Sequence, residues 1–247
     1  MLSEERKKRI LELEKRSFDR NIFTFTDFLS PSSLAGAKDI ISLKSATFFG
    51  GCDFAERQMI RFGNVEDLGY EEEFPISILK ISVKGEKFAT KITHRDVLGS
   101  IIGLGIERQK LGDMFVNEGI SYIIASKTVS KLILEELKSV GRNTVTVEEV
   151  FSVPTGFAPR TKDVEFSVSS NRVDGIICKV YNLSREGALN LFPKGFVAIN
   201  GKPCEAPSKT LKEGDVVTVR GEGKFTFLCE RGFSKKGKLY VLVSVNV

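Results

Sequence analysis

Long apolar runs are missing from this chain of 247 residues: no window approaches the ~18 uninterrupted apolar residues of a membrane-spanning helix, so no membrane association is expected. The opening stretch, "MLSEERKKRILELEKR", has charges but neither an apolar core nor a small-residue cleavage site, which predicts no secretory signal. Cysteine is sparse. Cys52, Cys178, Cys204 and Cys229 lie far apart with no CxxC pair, so disulfide and zinc frameworks are not expected. Reduced thiols, no bound metal and a cytoplasmic location follow. Histidine is rarer still. His94 is the one imidazole in the chain, and as a general base it has no evident partner in sequence. Internal repeats and low-complexity tracts are also lacking.

What is present is an ordinary soluble composition, 41% hydrophobic and 28% charged, with a length that suits two domains plus a helical extension. The net charge of +5 is unevenly placed. Residues 160–247 hold 15 Lys and Arg against 9 Asp and Glu, a net +6, and residues 1–159 hold 22 against 23, a net −1. A basic excess confined to one folded unit is an electrostatic footprint of polyanion binding.

Residues 1–75 read as an N-terminal helical extension. Residues 4–18 have helical spacing, with Ile10, Leu13 and Phe18 on one side and Arg6, Lys7, Lys8 and Arg9 among the rest. "TFTDFLSPSS" predicts a Pro-Ser turn. "ATFFGGCDFAERQMIRFG" (46–63) reads as a short strand, a Gly-Gly turn and a helix, with Asp53 and Glu56 at capping-box spacing. "GYEEEFP" is an acidic connection.

From 76 to 150 the pattern becomes regular. "ISILKISV" is a strand with apolar residues at 76, 78, 79, 81 and 83. "THRDVLGSIIGLG" is a helix capped by Thr93 and Asp96. Strands over 111–117 and 120–126 form a hairpin across Glu118-Gly119. "KTVSKLILEELKSV" is a helix ending at Gly141, and 143–150 is the closing strand. The order β-α-β-β-α-β predicts a four-stranded antiparallel sheet with two helices on one face, a ferredoxin-like domain. The fold class is therefore α+β. "FSVPTGFAPRTKD" (151–163) is a linker, and a basic domain occupies 164–247.

In that domain a helix is expected from about Asn171, its N-cap, to Tyr181, and a second from the N-cap Ser184 to near Gly195. Each expected helix then carries an Arg in its first turn, Arg172 and Arg185, against the helix dipole. Gly187 stands inside the second, where close approach of another group would explain it. Local rules are broken mostly at functional sites. A phosphate would meet free N–H groups and a guanidinium together at such a helix start. Arg95 beside His94 is a third Arg at a helix start, so His94, Arg95 and Arg108 form a second candidate RNA site.

This stretch resembles the S4 RNA-binding domain, in Arg172-Val173-Asp174, Ser184-Arg185 with Ala188 and Leu191, Gly195-x-Val197-x-Ile199-Asn200-Gly201, and Gly214-Asp215 leading to Arg220-Gly221. Upstream, "FFGGCDFAER" (48–57) and "THRDVLGSIIGLGIERQKLGD" (93–113) are similar to the YlmH family of bacterial S4 proteins. The resemblance implies an RRM-like domain followed by an S4 (αL-type) domain. It also implies binding to structured ribosomal RNA, with the large subunit and tRNA as partners, and a role in rescue of stalled translation or in cell division. A monomer is expected. Carried onto this chain, the S4 surface comprises Arg172, Lys179, Ser184, Arg185, Lys194, Asn200 and Lys202, reading shape and phosphate rather than bases. The middle domain departs from an RNA-binding RRM. "ISYIIASK" offers only Tyr122 for stacking, so its sheet is expected to bind single strands weakly at best.

The rival reading is an RNA-modifying enzyme with an S4 targeting domain, a methyltransferase or pseudouridine synthase. "GLGIE" (103–107) follows a helix where a methyltransferase needs a Gly-rich loop after a strand, and residues 1–160 hold too little β-structure for a pseudouridine synthase. No catalytic residue and no cofactor is expected. A protein–protein adaptor in division is the third reading, and would use the acidic 66–73 stretch or the N-terminal helix.

Overall fold

The computed structural model describes residues 2–85, 91–117 and 119–246. They divide into two compact units, one over Leu2–Ala158 and one from Pro159 onward. Both are α+β with antiparallel sheets. No described helix is long and apolar enough to cross a membrane.

The first unit opens with α1 (Glu4–Arg20), capped by Ser3 and closed by Asn21 in the left-handed region at φ 49°. Its buried face is Ile10, Leu13 and Ser17; Phe18, expected inside, is 85% exposed. The i, i+3, i+7 row reaches Ser17, and Phe18 lies one position around the helix. After β1 (Thr24–Phe25) comes α2 (Pro31–Lys38), with Ser30 as N-cap and Pro31 in its first turn, where the sequence suggests only a turn. Proline suits that position because its missing N–H would have no helical partner there.

β2 (Ala46–Phe49) and β3 (Met59–Phe62) complete a three-stranded sheet in the order β1-β3-β2. The helix expected over the end of 46–63 is thus a strand. All four residues of β3 are buried, and its central place in the sheet satisfies its backbone on both sides. A single turn, α3 (Val65–Leu68), leads to the acidic connection.

The βαββαβ pattern follows. Its elements are β4 (Ile76–Val83), α4 (His94–Gly103), β5 (Leu111–Asn117), β6 (Ile120–Ser126), α5 (Lys127–Glu136), β7 (Ser139–Val140) and β8 (Asn143–Val150). Thr93 and Asp96 form a complete capping box on α4. The sheet order is β5-β6-β4-β8-β7, antiparallel throughout, which is the ferredoxin-like order with one short extra strand. That extra strand ends α5 earlier than expected. Gly141, at φ 59°, turns the β7–β8 hairpin rather than capping a helix. The turn joining β5 and β6 includes Glu118, which lies outside the described residues.

Alternate residues of β4 serve two cores. Leu79 and Ile81 pack with Val97, Ile101 and Ile133 under the two helices. Ile78 packs on the opposite face with Tyr122, Ile124, Phe28, Ala55, Met59 and Val153. The N-terminal segment and residues 153–157 therefore close the sheet face that the helices leave open.

The second unit is a six-stranded sheet in the order β11-β10-β12-β13-β14-β9, over which two helices pack. Its elements are β9 (Thr161–Val168), α6 (Val173–Val180), α7 (Arg185–Leu189), β10 (Val197–Ile199), β11 (Lys202–Pro203), β12 (Val216–Val219), β13 (Gly223–Phe233) and β14 (Leu239–Asn246). Val173, Ile176, Ile177, Ala188 and Phe192 join Phe225, Phe227, Val241 and Val243 in its core. Both helices are shorter than the sequence suggests. α7 has five residues, and turns carry the chain from Asn190 to Gly195.

Candidate nucleic-acid interface

Asn171 does not cap α6. Its side chain is held by Leu211, donating to the main-chain carbonyl at 2.9 Å and accepting from the N–H at 3.3 Å, and it also donates to Glu230. A partner forty positions away outcompetes the local cap. Arg172 thus sits one place earlier than expected, as the N-cap residue itself, with no side-chain cap bond. Its guanidinium forks onto Asp174, Nε to Oδ1 at 3.0 Å and Nη2 to Oδ2 at 2.9 Å. The hydrogen bonds, and then the charge of Asp174, raise the Arg172 pKa above its ordinary value. Asp174 is buried, so the pair is part of the helix start as well as of the surface.

Ser184 caps α7, accepting from Gly187 N–H at 3.0 Å. A Cβ at position 187 would stand 3.1 Å from that hydroxyl, so the close approach expected at Gly187 is made by the helix's own cap. Arg185 follows at the first helical position. It is exposed and, among the described residues, makes no ion pair.

Between β9 and these two helices lies a cavity of about 340 Å³. Arg172, Lys179 and Arg185 line it together, and Lys238 joins them from the turn between β13 and β14. Asp174 is the carboxylate of the lining, and it is engaged by Arg172. Sequence reasoning does not reach Lys238, because "RGFSKKGK" carries no signal beyond a hairpin turn. Its basic run is the available clue.

The other sequence-predicted residues fall outside the lining of this cavity. Lys194 is exposed in the turn after α7. Asn200, at φ 50°, donates to Asp215 and accepts from Val216 N–H, both at 2.8 Å. That makes it a brace of the β10–β11 turn. Lys202 is exposed in β11.

In the first unit, His94 begins α4 with only part of its side chain open to solvent, and Arg95 beside it is exposed. Partial burial, and then the charge of Arg108, push the His94 pKa below its ordinary value; Asp113 opposes this. Arg108 is half-buried and donates through Nη1 to the carbonyls of Leu111 and Gly112. Arg57, not singled out in the sequence, lies beside it. Its Nε donates to Leu111 O at 3.0 Å and its Nη2 to Phe28 O at 3.2 Å. Burial, and then Arg108, bring Arg57 down to about 10. Arg57 ties separate backbone segments together, whereas Arg108 braces the start of β5 locally.

The centre of the sheet face that an RNA-binding RRM uses for stacking is covered. Tyr122 is 7% exposed, with its ring centroid 4.7 Å from that of Phe157 in an edge-to-face contact. Phe54 packs on Phe115 in the same way at 5.0 Å.

Residues 70–152 match the family model described as "Putative RNA-binding domain in YlmH". Over those residues the chain is similar to that domain. The match covers the βαββαβ sheet and the acidic connection before it, and it ends before the second unit begins. A relative from Bacillus subtilis (strain 168), named "Ribosome-associated protein quality control protein P2", is 29% identical over 226 residues, spanning 86% of this chain and 83% of its own length. A solved structure, "Cell division protein ylmH from Streptococcus pneumoniae", is 23% identical with a TM-score of 0.49, covering 63% of this chain and 95% of that one. Over residues 70–152 the stacking positions around Tyr122 are covered, so contact with RNA at the centre of this sheet is blocked.

Proposed function

We propose that this protein is a non-catalytic, ribosome-associated RNA binder, and that its second unit is an S4-type module docking folded RNA of the large subunit. The carrying observation is the shared rim of one cavity, where Arg172, Lys179, Arg185 and Lys238 stand together around a single neutralised carboxylate. A folded RNA presents closely spaced phosphates to such a rim. Binding then follows from shape and charge, because no aromatic side chain lines the cavity to stack on bases. The similarity to the YlmH domain and the ribosome-associated relative support the ribosomal setting. The relative's name also supports a role in protein quality control at the ribosome, and rescue of stalled translation beside tRNA is the finer form of the proposal.

An enzymatic reading built on His94 has little geometric support. The electrostatic neighbours of His94 are Arg108 and Asp113, and no hydrogen bond joins the imidazole to a carboxylate among the described residues. Ultraviolet crosslinking of the full chain to ribosomes, with mapping of the attached peptides, tests the proposal. Crosslinks are expected on peptides containing residues 172–185 and 238. Crosslinks confined to the first unit would overturn the assignment of the surface.

A further inference from the structure

The first unit has a groove that the RNA-binding reading leaves unused. It runs between β2, the connection at 71–76 and the end of β8, and encloses about 940 Å³. Four phenylalanines carry much of its apolar lining, with Ile76, Ile78 and Val150 beside them. Phe151 is 105% exposed and Phe49 is 39% exposed, while Phe74 packs on Phe49 with ring centroids 5.5 Å apart. A phenyl ring held wholly in water beside an aromatic groove marks an interaction surface.

The wall of the groove is acidic. Residues 66–73 contain Glu66, Asp67, Glu71, Glu72 and Glu73 and no basic residue. Glu71, Glu73 and Glu149 line the groove. This wall is pinned from behind by Arg61, which is 8% exposed. Its Nη1 donates to the main-chain carbonyl of Glu72 at 2.7 Å and lies 3.4 Å from Glu71. Its guanidinium sits over Phe74 and Phe23, and its buried Nε has no hydrogen-bond partner among the described residues. Lys127 is the other cation of the lining.

From this arrangement we infer that the groove is a docking site for a cationic, arginine-rich polypeptide segment of a partner protein. Arginine suits both halves of the site: its planar guanidinium stacks on phenyl faces and forks onto carboxylates. Apolar residues between the arginines would cover Phe49 and Phe151. RNA is disfavoured because its phosphates would face Glu71, Glu73 and Glu149. The groove is built from residues of the first unit alone, and the inference does not rest on RNA binding by the second.

The test uses the full chain and a fluorescein-labelled (Arg-Leu)4 peptide, read by fluorescence anisotropy, with (Glu-Leu)4 as control. Saturable binding of (Arg-Leu)4 alone is expected. Phe151→Ser should weaken it at least tenfold, and so should Glu73→Lys combined with Glu149→Lys. Phe151 is fully exposed, so its replacement leaves the fold in place, which a thermal melt checks. The charge-reversed variant tests the same surface without touching a ring. No saturable binding, equal binding of both peptides, or unchanged affinity in both variants would overturn the inference. So would a peptide-free dimer that Phe151→Ser dissolves, since the occupant would then be a second copy of this chain. Displacement of the peptide by a single-stranded RNA oligonucleotide would overturn it as well.

Discussion

Arg172 and Asp174 hold each other by two parallel hydrogen bonds, 3.0 and 2.9 Å long, with the carboxylate buried and part of the guanidinium at the surface. One residue therefore has two duties, closing the start of α6 and presenting charge to the cavity. Removing Arg172 leaves a buried carboxylate without its partner. Arg172→Ala is expected to lower the melting temperature of the chain, whereas Arg185→Ala, at an exposed position, leaves it unchanged. Differential scanning calorimetry of the two variants checks this. Equal melting temperatures would mean the Asp174 carboxylate is satisfied without Arg172.

Tyr122 and Phe157 predict the behaviour of the middle sheet. Tyr122→Ala removes a buried aromatic side chain and should cost roughly 3 kcal/mol of stability. Tyr122→Leu keeps most of the packing and should leave the affinity for single-stranded RNA unchanged. Urea unfolding gives the first quantity and a filter-binding titration with a short oligouridine the second. A large drop in oligouridine affinity in Tyr122→Leu would show that the ring reaches solvent.

Arg57 joins segments that are distant in sequence by donating to the carbonyls of Phe28, Arg108 and Leu111. Lysine is a point charge and cannot reproduce this fork. Arg57→Lys should cost about 2 kcal/mol, the scale of hydrogen bonds to a charged group. Denaturant unfolding measures it, and a change under ~0.5 kcal/mol would contradict a tethering role.

His94 sets a pH dependence. Its folded pKa lies below the ordinary 6.5 because of burial and Arg108. The unfolded chain therefore takes up the proton first. The contribution of His94 to stability is complete above pH 6.5 and is lost as pH falls through the lowered folded pKa. His94→Gln should flatten the fall in melting temperature below pH 6.5 expected of the unsubstituted chain. Matching pH profiles would contradict this.

The legible parts of the fold are those fixed by local chemistry. Thr93 and Asp96 announce α4, and the strands of the βαββαβ unit carry their own turn signals. Apolar residues at 76, 78, 79, 81 and 83 occupy both faces of β4, a sign in the sequence that both faces are covered. The burial of Tyr122 follows from that cover, but nothing in the sequence names the segments that supply it. β3 reads as helix because a short, fully buried run has no period that distinguishes the two. Asn171 has the chemistry of a cap, and only the fold places Leu211 beside it. Of the basic residues, Lys179 and Arg185 are legible from their positions in a helix pattern. Lys238 belongs to a hairpin whose place beside α6 is a tertiary fact.

The most direct test of the central claim is the salt dependence of binding to purified large ribosomal subunits. Lys179→Glu combined with Arg185→Glu should weaken binding and make the log–log salt slope shallower, by about 0.7–0.9 for each phosphate no longer neutralised. Unchanged affinity and an unchanged slope in that double variant would contradict docking of RNA on this cavity.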